Sequence, residues 1–106
     1  MSISMLIKSR LTEPSEEIPV CTNTKWISYW LRAAEEMGLE MIQALSALWV
    51  TAEFRDRFLN ELAILKAWAT GQSETDEYLP EMADRIDAIV QAITTHSLDE
   101  YEVSFG

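Results

Sequence analysis

From Thr24 to Thr95, apolar residues return every three or four positions with few breaks. A chain patterned in that way must bury a stripe of each helix against its neighbours. The first stripe runs Trp26, Trp30, Ala33 and Met37, widened by Ile27, Leu31 and Ala34, with Ser28, Arg32, Glu35 and Glu36 opposite. Thr24 is placed to cap this helix, and Gly38 to end it, because glycine takes the left-handed conformation without steric cost. Met41, Ile42, Leu45, Leu48 and Trp49 continue the pattern as a second helix, or as one long helix kinked at Gly38. Thr51 then caps a third, with Phe54, Phe58, Leu62, Leu65 and Ala69 along it, Glu53 and Arg57 as an i, i+4 pair, and Gly71 at its close. Pro80, harmless in a first helical turn, opens a fourth along Met82, Ile86, Ile89, Val90 and Ile93. The expected helices therefore cover about 24–37, 39–50, 52–69 and 80–95.

Both ends of the chain change period. Ile3, Met5 and Ile7 alternate with Ser4, Leu6, Lys8 and Arg10, and Tyr101, Val103 and Phe105 alternate with Glu100, Glu102 and Ser104. Period two marks half-buried strands over 3–10 and 100–105, and Lys8 and Arg10 can lie opposite Glu100 and Glu102 across a ladder. Residues 12–23 hold Pro14, Pro19 and no helical period, which reads as an extended loop; 71–79 reads as an acidic loop. The expected fold is a mostly α single domain over 1–106, a bundle of about four helices with a small two-stranded sheet made by its termini. One domain is what 106 residues accommodate, and 48% apolar content is enough for a core.

No apolar run has the length of a secretory signal core or of the roughly 18 residues that span a bilayer. Cys21 stands alone, so no internal disulfide can form. A cytoplasmic protein, or one working inside a host cell, is the expectation.

Chemistry is sparse. One cysteine and one histidine, Cys21 and His96, lie far apart in sequence, and no serine has the glycine neighbours of a nucleophile elbow. Cys21 reads as a half-buried thiol and His96 as a helix-terminal residue, so no catalytic residue is assigned. Glycines 38, 71 and 106 are isolated, which excludes a phosphate-binding loop. The helical spacings Glu36/Glu40, Glu77/Glu81 and Glu81/Asp84/Asp87 could each offer oxygens to Mg²⁺ or Ca²⁺. The last set lies opposite Ile86, Ile89 and Ile93, hence toward water, and the expectation is no metal and no cofactor. A divalent-metal-dependent hydrolase is kept as the remote alternative.

Four tryptophans sit on or beside the apolar stripes, and the stripe of the first helix is wider than one neighbour covers. Trp26 and Trp30 are therefore a candidate hydrophobic interface, for a partner or a second copy.

Charge is the most informative property. Eight bases against eighteen acids, a formal net charge of −10, exclude direct binding of nucleic acid or anionic lipid through neutralised phosphates. Residues 1–69 hold nine acids and seven bases, whereas residues 70–106 hold nine acids and only Arg85. Most of the excess thus falls in the last third, where it either solubilises the chain or steers a basic partner. The first reading is a non-enzymatic protein that binds another protein through Glu74, Asp76, Glu77, Glu81, Asp84 and Asp87. Nuclease inhibitors, immunity proteins against toxins and nucleic-acid mimics use the same logic, an analogy of charge and size. The alternative is a structural or assembly protein acting as a homodimer, through the first helix or the sheet edges.

Overall fold

The structure, a computed structural model, describes residues 2–10, 15–72 and 76–106. It is a two-layer α/β fold in which a four-stranded antiparallel sheet carries helices on one face. Strand β1 (Ser2–Ser9) is followed by β2 (Glu16–Thr22) and a helical run over 23–37, here α1. Next come α2 (Glu40–Gln43), a 3₁₀ turn (Leu45–Ala47), β3 (Leu48–Val50) and a second 3₁₀ turn (Ala52–Phe54). The long helices α3 (Arg55–Gly71) and α4 (Tyr78–Thr95) lead to β4 (Tyr101–Phe105). Spatial order in the sheet is β2-β1-β4-β3.

That sheet corrects the expected bundle with a two-stranded sheet. The terminal strands do pair, with Lys8 opposite Glu102, but they form the centre of the sheet rather than the whole of it. Each gains an outer neighbour from a segment expected to be something else. Residues 16–22, expected as loop, form β2 despite Pro19. Proline removes one ladder donor and is tolerated on an edge strand, where one side of the backbone has no strand partner. Pro19 lies opposite Ser4 beside an irregularity in register, and β2 turns Val20 into the core and Ile18 partly so. On the other edge, the expected helix 39–50 ends after one turn at Gln43, and Leu48–Val50 pairs with Val103–Phe105. The helical spacing of Leu45 and Leu48 is overridden because pairing here satisfies backbone groups of β4 that would otherwise form an open edge.

The inner face of the sheet supplies Ile3, Met5, Ile7, Val50, Val103 and Phe105 to the core, all buried. Against them pack Phe58, Leu62, Leu65 and Ala69 of α3 and Met82, Ile86, Ile89 and Ile93 of α4. Phe58 and Phe105 join the layers, their ring centroids 5.4 Å apart. Gly38 ends α1 with φ of 68°, the left-handed conformation its position requires. The start of α1 falls earlier than Thr24: Thr22 Oγ1 accepts from the Lys25 backbone N–H at 3.3 Å. Within α1, Trp26–Leu31 is π-helical, a wider winding that is uncommon over six residues.

Trp26 and Trp30, expected as an exposed interface, are 6% and 0% exposed. Most of the stripe of α1 is covered within the chain by α2, α3 and the start of α4, while Ile27 stays 56% exposed. Trp30 Nε1 donates to the Tyr78 hydroxyl of α4 at 2.8 Å, so its one polar atom is also satisfied.

Candidate functional site

Helix α4 carries the acidic segment, and the structure sorts its carboxylates into two kinds. Glu74 lies outside the described residues. Asp76 is committed to holding the start of α4: its Oδ1 accepts from the Tyr78 backbone N–H at 2.9 Å and its Oδ2 from the Tyr29 hydroxyl at 2.6 Å. The Tyr29 hydroxyl and then the Tyr78 N–H hold the Asp76 carboxyl below its ordinary range, while the same bond pushes the Tyr29 phenol up. Asp87 meets Lys66 of α3 at 2.7 Å.

Glu77, Glu81 and Asp84 remain. They are exposed, fall at i, i+4 and i+7 and so lie along one stripe of the helix, and take no ion pair among the described residues. Arg85, the one base of this segment, reaches away toward β2 and donates to the Pro19 carbonyl at 3.3 Å. The stripe therefore keeps its negative charge facing water. The helical fourfold spacing was legible in the sequence; which of the six acids stay unpaired was not, because Tyr29 and Lys66 come from other helices. Among the described residues no three His, Cys, Asp or Glu side chains converge as a metal-ligand set.

Two further features were not foreseen. First, Glu61 of α3 is 6% exposed, and its Oε1 accepts from the backbone N–H groups of Met41 (3.0 Å) and Ile42 (3.1 Å). It serves as the cap that α2 lacks in its own sequence, since Leu39 offers no side-chain acceptor. Arg57 bridges Glu61 at 3.4 Å and Glu40 at 3.1 Å, in place of the expected pairing with Glu53. Second, the outer face of the sheet is uncovered. Glu17, Leu6, Ser104 and Trp49 form one row across all four strands, with Leu6 39% and Trp49 64% exposed. Trp49 was expected on a helix, and the change to strand turns its ring outward.

His96 follows α4, as its sequence position indicated. Its Nδ1 lies 2.8 Å from the Ala92 carbonyl, its ring stands edge-on to Tyr101, and Nε2 is 3.9 Å from Glu16. Cys21 on β2 is half-buried and burial pushes its thiol up to about 11, so it carries little thiolate at neutral pH. No helix among the described residues is long and apolar enough to cross a membrane. No family model, curated protein or solved structure matches this chain, and its function rests on its own residues.

Proposed function

We propose that this is a non-enzymatic protein that binds a basic surface of another protein through the Glu77–Glu81–Asp84 stripe of α4. The observation that carries the reading is that the stripe has no ion pair among the described residues: Arg85 is tied to β2, and although Glu81 borders the groove that holds Arg85 and Lys25, Glu77 and Asp84 lie outside it. Carboxylates along such a stripe would take basic sites that otherwise hold phosphates. Binding of this kind weakens steeply as salt rises. Asp87 contributes less, being neutralised by Lys66, and Asp76 acts through the position of α4 rather than by contact.

The test separates location from net charge. Glu81→Lys with Asp84→Lys is compared with Glu35→Lys with Glu53→Lys, two exposed acids outside the stripe, so that both variants have the same net charge. Calorimetric titration with an arginine-rich peptide at physiological salt should lose its heat in the first variant and keep most of it in the second. Equal weakening in both would reduce the acidic surface to a solubilising one.

The bare outer face of the sheet favours a second reading, a homodimer that covers Leu6 and Trp49. Trp49→Glu should convert a sedimenting dimer to monomer; a wild-type chain that sediments as a monomer at high concentration removes this reading.

A further inference from the structure

The eight bases of the chain are not distributed like its acids. Arg10, Arg32, Arg55, Arg57 and Lys66 each meet a carboxylate on the surface. Lys8, Lys25 and Arg85 make no ion pair among the described residues, although Lys25 acts on the Asp76 carboxylate at longer range, and Lys25 and Arg85 both line one groove between β1, β2, α1 and the start of α4. Two bases without a contact ion pair on a single groove are unexpected in a chain with more than twice as many acids as bases.

Both are also held in place. Lys25 Nζ lies 5.2 Å from the Tyr29 ring centroid and 4.8 Å from that of Tyr78, and these two rings pack on each other at 4.6 Å. A cation over aromatic faces is positioned without being neutralised, and its N–H donors stay available. Arg85 spends one donor on the Pro19 carbonyl and keeps the rest of its guanidinium. Tyr78 also lines the groove. Its hydroxyl oxygen accepts from Trp30, which leaves the phenol proton for an acceptor, and burial pushes its pKa up to about 12, so the proton is present. Ile3, Pro19 and Val20 form an apolar wall opposite, with Cys21 beside them.

Glu81 sits on the same rim and decides the charge of the ligand. Glu81 on the rim and Asp76 behind the Tyr29 and Tyr78 rings offset much of the charge of Lys25 and Arg85, so the groove suits a monoanion and disfavours a phosphate dianion. The space, about 310 Å³, is at the small end for a ligand site. We infer that this groove binds the carboxylate of a small apolar monocarboxylic acid, with Lys25, Arg85 and the Tyr78 hydroxyl on the carboxylate and Ile3, Pro19 and Val20 along the apolar part. The carboxylate could belong to a free acid or to the C-terminus of an apolar peptide, the recognised chemistry being the same.

The experiment is calorimetric titration of the full chain with hexanoate, hexan-1-ol, inorganic phosphate, and an apolar tripeptide with free or amidated C-terminus. Saturable binding of hexanoate, none of hexan-1-ol, and at least tenfold weaker binding in Arg85→Gln and in Lys25→Gln is the expected result. A tripeptide that binds more tightly than hexanoate and loses this on amidation assigns the carboxylate to a peptide end. Thermal melts check that each variant is folded, and if one is not, the other is decisive. A second readout needs no variant: bound hexanoate should slow maleimide labelling of Cys21, whereas hexan-1-ol should not. Absence of saturable hexanoate binding, unchanged affinity in a folded variant, or tighter binding of phosphate than of hexanoate would each overturn the inference. Hexanoate binding is read in chains that keep Glu81 and the loss of the arginine-rich peptide in chains that do not, so the two results are obtained independently and the two proposals fail separately.

Discussion

Replacing Glu61 by alanine should be among the most damaging single changes at any polar position in this protein. The side chain is buried on α3, yet it supplies the acceptor for two backbone N–H groups at the start of α2. Met41 and Ile42 are themselves buried, so water cannot replace the lost carboxylate. A hydrogen bond to a charged group contributes about 1.5–3 kcal/mol, and a buried unsatisfied donor costs about 1–3 kcal/mol. Because one oxygen serves both donors, the sum falls short of two independent bonds, and a loss of about 3–4 kcal/mol is expected. In a domain of this size that lowers Tm by roughly 10–25 °C. Glu61→Gln keeps a carbonyl-type oxygen at the same reach and loses the charge and the Arg57 contact, so it should cost only about 1–2 kcal/mol. Urea denaturation followed by tryptophan fluorescence measures all three chains, with equal m-values confirming that the same structure unfolds. An alanine variant within about 1 kcal/mol of wild type, or a glutamine variant as unstable as alanine, would refute the capping argument.

Tyr78→Phe removes the acceptor of the buried Trp30 indole and should cost about 1–3 kcal/mol, with a shift in tryptophan emission; an unchanged melt would show that the bond at 2.8 Å contributes nothing. Gly38→Ala has no neighbour within 4 Å to clash with, so its expected cost, about 1–2 kcal/mol, is the left-handed backbone alone. The thiol of Cys21 ionises near pH 9.0 when unfolded and near 11 when folded. The folded state thus retains the proton longer, and this contribution is whole below pH 9 and lost as pH rises toward 11. Denaturation series across that window should show a smaller decline in Cys21→Ala than in wild type; identical slopes would contradict the burial of the thiol.

The long helices and terminal strands were legible because each has a period that survives its context. In α4 the Met82, Ile86, Ile89 and Ile93 stripe faces the core as spaced, and in β1 and β4 the alternation places Lys8 opposite Glu102. The edge strands were not. Ile18 and Val20 alternate over too few residues to outweigh Pro19, and Leu48–Val50 is three residues long inside a run with helical spacing. Such short strands are set by the neighbour they pair with, which sequence patterns of this length do not reveal. The candidate site divides the same way. Glu77, Glu81 and Asp84 were visible as acids on a helix face, whereas the Tyr29–Asp76 and Trp30–Tyr78 bonds join residues 47 and 48 apart. Trp26 and Trp30 are buried because α2, α3 and the start of α4 share the covering of a stripe too wide for one neighbour, and only Ile27 of it stays exposed.

The chain is proposed to meet its partner through α4 rather than through the bare sheet. A photo-crosslinking amino acid placed at Asp84 and, separately, at Trp49 in the cells that make the protein tests it most directly. A heterologous adduct is expected from position 84, formed with a protein whose linked peptide is rich in Lys and Arg, and lost when Glu77 and Glu81 are reversed to Lys. An adduct formed only from position 49, or one from 84 that survives the charge reversal, would contradict it.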